Sequence, residues 1–475
     1  MTTLALREEA AVAPAADARD RLELLCDPGS FEPVRSAVRS MHLGQRARAG
    51  DGVVAGAGRI GSRPVFCYAQ DPSFMGGSLG VAHADSIVRT LELAARAGAP
   101  VVGLIESGGA RLQEGHGALA GYGRIFKASV DLSQRAPQIS IVTGVSAGGG
   151  AYSPALTDFV VMTEEARMFL TGPQVVREAL GEQVSMEALG GPRVHSRNGV
   201  CQLVAPGVPE AMAATRELLG LLPQRFDDRA APLAPAAPAP SLAPDATVPT
   251  EARKVYDVRD VARAITDGGD ILELSGSWST NMVTALARID GRPVGILANQ
   301  PRSLGGVIDA VAAEKAAIFV DACDRFGLPI AVLVDTPGFM PGARQEAGGV
   351  IRHGASLLRA FASARVPKVT VILRKAYGGA VITMNSRDLG ADLVFAWPQA
   401  EIGIMAARQA VGIVHRRELA AAERRDTALA ELADGYADEH LGAERAAASG
   451  FVDEVIEPER TRERLAWAFA SLERR

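Results

Sequence analysis

Ser146 stands in Gly144-Val145-Ser146-Ala147-Gly148, the spacing of a nucleophile elbow, in which a serine on a sharp strand-to-helix turn attacks an acyl carbon. Such a serine needs a base, and none of His42, His83, His116, His195, His353, His415 and His440 lies in a context that announces one. Two further short matches also fail on context. Gly56-Ala57-Gly58-Arg59-Ile60-Gly61 has the glycine spacing of a dinucleotide-binding turn, but Ser62-Arg63-Pro64 and the strand-like Val65-Phe66-Cys67-Tyr68 follow where a helix should open. Asp335-Thr336-Pro337-Gly338 looks like a nucleotide-hydrolase loop, yet none of the lysines (Lys127, Lys254, Lys315, Lys368, Lys375) ends a phosphate-binding glycine loop. What remains is a pair of glycine clusters, Gly148-Gly149-Gly150 and Gly378-Gly379, each closing a run of β-branched residues. Glycines there leave backbone N–H groups unobstructed and able to hold an oxyanion, and two such places suit a reaction that polarises two carbonyls.

The elements that must position these glycines occur twice. Arg59-Ile60-Gly61-Ser62-Arg63-Pro64-Val65 matches Arg288-Ile289-Asp290-Gly291-Arg292-Pro293-Val294, and at the same displacement Gly76-Gly77 matches Gly305-Gly306 and Pro100 matches Pro329. Val101 to Ser107 then pairs with Ile330 to Thr336, and, one residue further displaced, Pro137 to Gly149 pairs with Pro367 to Gly379. Five segments in order at nearly one displacement imply a duplicated fold. The repeat keeps the glycines but replaces Ser146 by Ala376, so Ser146 reads as a small packing residue. In each copy short β-branched runs (Val101 to Ile105, Ile139 to Val142, Ile330 to Val334, Val369 to Leu373) read as buried strands, and Ala84 to Ala97 and Val311 to Phe326 as helices. Strand, glycine turn and helix in succession predict an α/β class. The stretches Arg416 to Ala448 and Leu465 to Leu472 have helix-forming composition and are expected to be peripheral helices.

The 475 residues are 48% hydrophobic and 22% charged, with a formal charge of −5, an ordinary globular balance that gives no footprint for nucleic acid or membrane. Cys26, Cys67, Cys201 and Cys323 form no metal or redox spacing, so buried free thiols and no metal site are expected. The start lacks the basic end and apolar run of a secretory signal, which predicts a cytoplasmic protein. The Pro/Ala-rich stretch around Ala231 to Pro240 reads as an extended linker.

Phe74-Met75-Gly76-Gly77-Ser78-Leu79-Gly80, Ser107-Gly108-Gly109-Ala110-Arg111, Ser146 to Asp158, Asp335-Thr336-Pro337-Gly338-Phe339, Gly348 to Gly354 and Arg374-Lys375-Ala376-Tyr377-Gly378-Gly379-Ala380 together resemble the signatures of acyl-CoA carboxylase β subunits, the acetyl- and propionyl-CoA carboxylase group. The resemblance spans nearly the whole chain. It implies a tandem duplication of a crotonase-like (ClpP/crotonase) fold: a flexible N-terminus over residues 1–20, an N-terminal carboxyltransferase domain on the acyl-CoA side over 21–222, a linker over 223–250 and a C-terminal, biotin-side domain over 251–475. It implies a homo-hexamer whose active sites lie between the N-half of one subunit and the C-half of another. Carboxybiotin would come in trans from a biotin carboxylase/biotin carboxyl carrier (α) subunit, with a small accessory subunit left open. The chain lacks the four-cysteine zinc ribbon of split acetyl-CoA carboxylases.

Carried over by position, the N–H groups of Gly148 and Gly149 would hold the thioester oxygen of acyl-CoA, and those of Gly379 and Ala380 the ureido oxygen of biotin. Gly108, Gly109, Ala110, Ala147, Tyr152, Gly378 and Ile382 would line the substrates. Ile382 resembles the residue of acetyl-CoA-accepting members, and with it the expected products are malonyl-CoA, for fatty acid biosynthesis, and methylmalonyl-CoA. Ser146 and Gly150 stand where members often carry Cys and Ala, and Met405-Ala406-Ala407 where many read Met-Gly-Ala. Three other readings stay open: a biotin-dependent decarboxylase or transcarboxylase subunit, a crotonase-like hydratase or hydrolase, and a non-catalytic scaffold.

Overall fold

A computed structural model describes residues 17–133, 135–226, 228–239, 243–251 and 254–472. The chain divides into two compact units, the first running to Ala230 and taking in Ser275–Trp278, the second holding Ala231–Leu274 and Ser279–Arg475. Of the expected flexible start, residues 1–16 lie outside the described residues, whereas Ala18–Leu25 is a helix whose first turn is capped by the Asp17 carboxylate on the N–H groups of Arg19 and Asp20. A capped helix, not a loose end, therefore occupies positions 18 to 20.

The first unit is built on eight strands: β1 (Glu32–Val34), β2 (Val53–Ile60), β3 (Arg63–Gln70), β4 (Val101–Ser107), β5 (Gln138–Ala147), β6 (Phe159–Thr163), β7 (Arg167–Phe169) and β8 (Leu203–Ala205). Their order is β1-β2-β3-β4-β5-β6-β8, with β7 on the far end of β5. The first two pairings are antiparallel and the rest parallel. The second unit repeats this with β9 (Ile271–Leu274), β10 (Met282–Ile289), β11 (Arg292–Asn299), β12 (Ile330–Thr336), β13 (Lys368–Tyr377), β14 (Leu393–Ala396), β15 (Glu401–Gly403) and β16 (Glu454–Val455). Its order is β9-β10-β11-β12-β13-β14-β16, with β15 on β13. Both copies also slip register at the same place, between Ile105 and Ser107 in one and between Val334 and Thr336 in the other. These are the duplicated crotonase-like folds expected from the sequence.

The hairpin that opens each sheet shows why the matched Arg-Ile-x-x-Arg-Pro segments fold alike. Gly61 (φ 56°) and Ser62 (φ 67°) turn β2 into β3, and Asp290 (φ 53°) and Gly291 (φ 78°) turn β10 into β11, the two-residue left-handed turn that suits twisted strands. Each turn is capped by an aspartate lying just beyond a preceding helix. Asp27 accepts from the Gly61 and Ser62 N–H groups at 3.0 and 2.7 Å. Asp267 accepts from those of Asp290 and Gly291 at 2.9 and 2.7 Å.

Helix Val81–Ala97 lays Ala84, Ile87, Leu91 and Ala94 on the first sheet, one stripe at helical spacing, and ends at Gly98 in the left-handed conformation. Helix Ala310–Phe326 does the same in the second unit and ends at Gly327. The first core gathers Leu91, Ile105, Val142 and Met162, and the second Ile296, Leu333, Val371, Phe395 and Trp397. One expectation is overturned here. Helix Thr461–Leu472 is not peripheral, because Leu465, Ala468 and Phe469 are fully buried in that second core. Helices Ala407–Val414, Arg416–Ala421 and Arg425–His440 do form a separate small cluster around Val411, Leu419 and Ala433.

The Pro/Ala stretch is extended and tied to the second unit. Leu233 N–H donates to Gly291 O (3.0 Å), and the Arg462 guanidinium bonds both Ala236 O (2.8 Å) and Asp267 (2.7 Å). The first unit in turn takes Ser275–Trp278 from later in the chain, where Ser275 N–H donates to Gln202 O (2.9 Å).

Candidate active site

Each glycine cluster forms a turn between a long central strand and a short helix, and the two turns are built alike. β5 ends at Ala147, Gly148 turns with φ 58° and ψ −126°, and helix Gly149–Ala155 follows. β13 ends at Tyr377, Gly378 turns with φ 64° and ψ −152°, and helix Gly379–Thr383 follows. Such a φ/ψ pair strains any residue with a side chain, which is why the turn residue is glycine in both copies.

The turn glycines are not free donors. Gly148 N–H is bonded to Phe169 O on β7 at 3.1 Å, and Gly378 N–H to Gly403 O on β15 at 2.9 Å. The next two residues open the helix, where no preceding turn offers a carbonyl, and the third closes back on the turn: Ala151 N–H bonds Gly148 O (3.0 Å) and Val381 N–H bonds Gly378 O (3.2 Å). That leaves the N–H groups of Gly149 and Gly150 in the first unit, and of Gly379 and Ala380 in the second, at the open start of each helix. This corrects the expectation for Gly148, whose N–H is spent on the β5–β7 ladder. The signal for Gly150 was present in the repeat, since the displacement that maps Gly379 onto Gly149 maps Ala380 onto Gly150.

The loop after β4 brings Gly108, Gly109 and Ala110 beside the first turn. A Cβ on Gly109 would lie 3.4 Å from Ala147 O. Leu79 and Ala110 form a parallel bridge in which Leu79 N–H bonds Gly109 O and Arg111 N–H bonds Leu79 O, so the Ala110 N–H points to the opposite edge. Arg111 holds the loop from behind: fully buried, it meets Asp51 at 2.6 Å, Glu114 at 2.8 Å and Ser78 O at 2.9 Å. Gly80 has no side chain because a Cβ there would strike the guanidinium. Gly149 is likewise confined, with the Tyr122 ring 2.7 Å from its Cβ position, whereas Gly379 has nothing within 4 Å.

Tyr152 and Ile382 occupy equivalent places one helical turn beyond the donors, and both are about half exposed (51% and 48%). The structure thus assembles Gly108, Gly109, Ala110, Ala147, Gly149 and Tyr152 around one turn and Gly378, Gly379, Ala380 and Ile382 around the other.

A hydrolase built on Ser146 finds no support. Its Oγ is buried without a hydrogen-bond partner. His83 is buried too, but burial pushes its imidazole down to about 3, and its ring nitrogen faces Gln70 at 3.3 Å. His195 spends Nε2 on Met168 O at 2.6 Å. All four cysteines are free and buried, and among the described residues no group of three or more His, Cys, Asp or Glu is placed to hold a metal ion and no helix is long and apolar enough to cross a membrane.

Comparison with known proteins agrees with this geometry. The model of the carboxyl transferase domain family matches residues 16–475. The chain is 46% identical over 457 residues to the methylmalonyl-CoA carboxyltransferase 12S subunit of Propionibacterium freudenreichii subsp. shermanii, covering 95% of this chain and 87% of the relative. It is 43% identical over 471 residues to the propionyl-CoA carboxylase β chain of Roseobacter denitrificans, covering 96% and 90%. A crystal structure of transcarboxylase 12S, described as a hexamer assembly with methylmalonyl-coenzyme A and methylmalonic acid bound, superposes with a TM-score of 0.91 at 45% identity over 97% of this chain and 90% of that one. Two equivalent glycine turns on duplicated sheets, matched over nearly their full length by these proteins, place the chain in the carboxyl transferase family, as an enzyme subunit of the acyl-CoA carboxylase β kind.

Proposed function

We propose that the chain transfers a carboxyl group from carboxybiotin, held on a separate carrier subunit, to the α-carbon of propionyl-CoA, and of acetyl-CoA as a second substrate. The observation that carries this reading is the pair of equivalent turns, each with two N–H groups at the start of its helix and no catalytic side chain beside them. Removing a proton from the α-carbon of a thioester builds negative charge on the carbonyl oxygen, and each preorganised donor there contributes about 2.7–4 kcal/mol. In this reading Gly149 and Gly150 hold that oxygen, with Gly108, Gly109, Ala110, Ala147 and Tyr152 around it. Gly379 and Ala380 hold the ureido oxygen of biotin, beside Gly378 and Ile382. The open space around Gly379 fits the approach of such a group. Carboxybiotin supplies the CO2 and, once that has left, a basic ureido nitrogen that can take the α-proton, so no side-chain base is required.

The names of the relatives favour propionyl-CoA and methylmalonyl-CoA as the substrate pair. A one-carbon difference discriminates by only about 1–3 kcal/mol in an apolar pocket, which leaves acetyl-CoA usable. The reading requires the two turns to meet across copies of the chain, in an assembly such as the hexamer described for transcarboxylase 12S. Direction is set by the partner: the same half-reaction serves a carboxylase, a decarboxylase or a transcarboxylase.

The test is biotin-dependent decarboxylation of methylmalonyl-CoA and malonyl-CoA by the purified chain, with Gly379→Pro beside it. Proline is tolerated at the first position of a helix, so the variant removes one donor while the fold survives. Turnover by the wild type, faster on methylmalonyl-CoA and lost in Gly379→Pro, supports the reading; a folded wild type without biotin-dependent turnover overturns it.

A further inference from the structure

The two turns differ in how they are held, and the difference lies in one pair of side chains. In the second unit Tyr377, the last residue of β13, is 5% exposed and its hydroxyl donates to the Glu401 carboxylate, the first residue of β15. The ladder pairs Lys375 with Glu401 and Tyr377 with Gly403, so the phenol reaches back diagonally across two ladder positions. β15 is three residues long, pairs with β13 on one side and is bridged through Glu401 to Gly442 on the other, where Ile402 N–H donates to Leu441 O at 2.8 Å, and it carries the Gly403 carbonyl that accepts from Gly378 N–H at 2.9 Å. β15 is fastened to β13 and its turn by the backbone ladder that runs from Lys375 to Gly378 and, beside it, by the side-chain bond from Tyr377 to Glu401. Burial, and then the adjacent carboxylate, push the phenol well above its ordinary range, so it remains a donor.

The first unit has no such clamp. Ala147 occupies the place of Tyr377, and Arg167 opens β7 with its guanidinium on Glu187 at 2.7 Å and on the carbonyls of Glu164 and Ala166. Its turn is instead packed from beneath by the Tyr122 ring against Gly149. The second turn has nothing within 4 Å of Gly379 on the corresponding side, so its orientation depends on β15.

We infer that Tyr377 and Glu401 are a positioning pair for the second turn, fixing through β15 and the Gly403 carbonyl the direction in which the Gly379 and Ala380 N–H groups point. This rests on the carboxyltransfer reading given above. A shift of about 1 Å in a catalytic group costs on the order of a hundredfold in rate, so loss of the pair should be felt in turnover more than in stability.

The experiment measures biotin-dependent methylmalonyl-CoA decarboxylation by the full chain with Tyr377→Phe, Glu401→Ala and Glu401→Gln, alongside backbone hydrogen exchange over residues 374–384 and 144–155. The expected result is a kcat lowered about tenfold to a hundredfold in Tyr377→Phe and Glu401→Ala, with KM for methylmalonyl-CoA unchanged. Glu401→Gln, which keeps an acceptor oxygen, should recover most of the rate. Exchange should quicken over 374–384 and stay as in the wild type over 144–155. Wild-type kcat in both Tyr377→Phe and Glu401→Ala, or unchanged exchange over 374–384, overturns the pairing role while leaving the carboxyltransfer reading intact. An inactive wild type overturns that reading, and this inference with it.

Discussion

Lys315 is a buried amine on helix Ala310–Phe326, its Nζ donating to Met282 O at 2.6 Å. Desolvation pushes the ammonium down from 10.5 to about 7, against the pull of Glu273. The unfolded chain therefore binds more protons than the folded one between these two values, and stability rises with pH across that window. Lys315→Met should flatten the rise: the gain in unfolding free energy from pH 7 to 9.5, read by urea denaturation, shrinks relative to the wild type, and an equal gain in both would show that the amine is ordinary in the fold. Nothing in the sequence marked Lys315, since its burial depends on β10 passing over the helix. The glycines were legible as residue types because they close β-branched runs. Their division of labour was not, because Gly148 and Gly149 look alike until a ladder to Phe169 takes the N–H of one.

At the scale of elements, the turn rather than the helix decides which substitutions are tolerated. Gly148 carries φ 58° with ψ −126°, a combination costing a side chain on the order of 1–3 kcal/mol, whereas Gly379 has an ordinary φ and open space at its Cβ position. Gly148→Ala should therefore lower the thermal midpoint by several degrees and weaken turnover. Gly379→Ala should leave the midpoint unchanged or slightly raised, as shortening the menu of unfolded conformations does at compatible glycines. Comparable losses in the two variants would contradict this account. Strands β4, β5, β12 and β13 and the helices Val81–Ala97 and Ala310–Phe326 were legible within a few residues from β-branched runs and helical spacing, whereas helix His116–Leu132, equally long, was not read. β7 and β15 were not, because three-residue strands carry no period; their existence follows from the glycine turns they bond.

For the molecule as a whole, the duplication was readable because matched segments recur in order, while the contents of each core were less so. Helix Thr461–Leu472 looked peripheral by composition, yet Leu465, Ala468 and Phe469 fall at helical spacing and complete the second core. Phe469→Ala should cost about 3–5 kcal/mol in denaturant unfolding, where a surface helix would lose less than about 0.5. The capped hairpins bear on the history of the chain. Both copies keep an aspartate receiving two turn N–H groups, yet one spells the turn Gly-Ser and the other Asp-Gly. One geometric requirement is met with two different spellings, so the two halves of the chain serve as replicate experiments in the same fold. Positions alike in both halves mark what the shared fold requires, and positions such as Tyr377 opposite Ala147 mark where the two halves part.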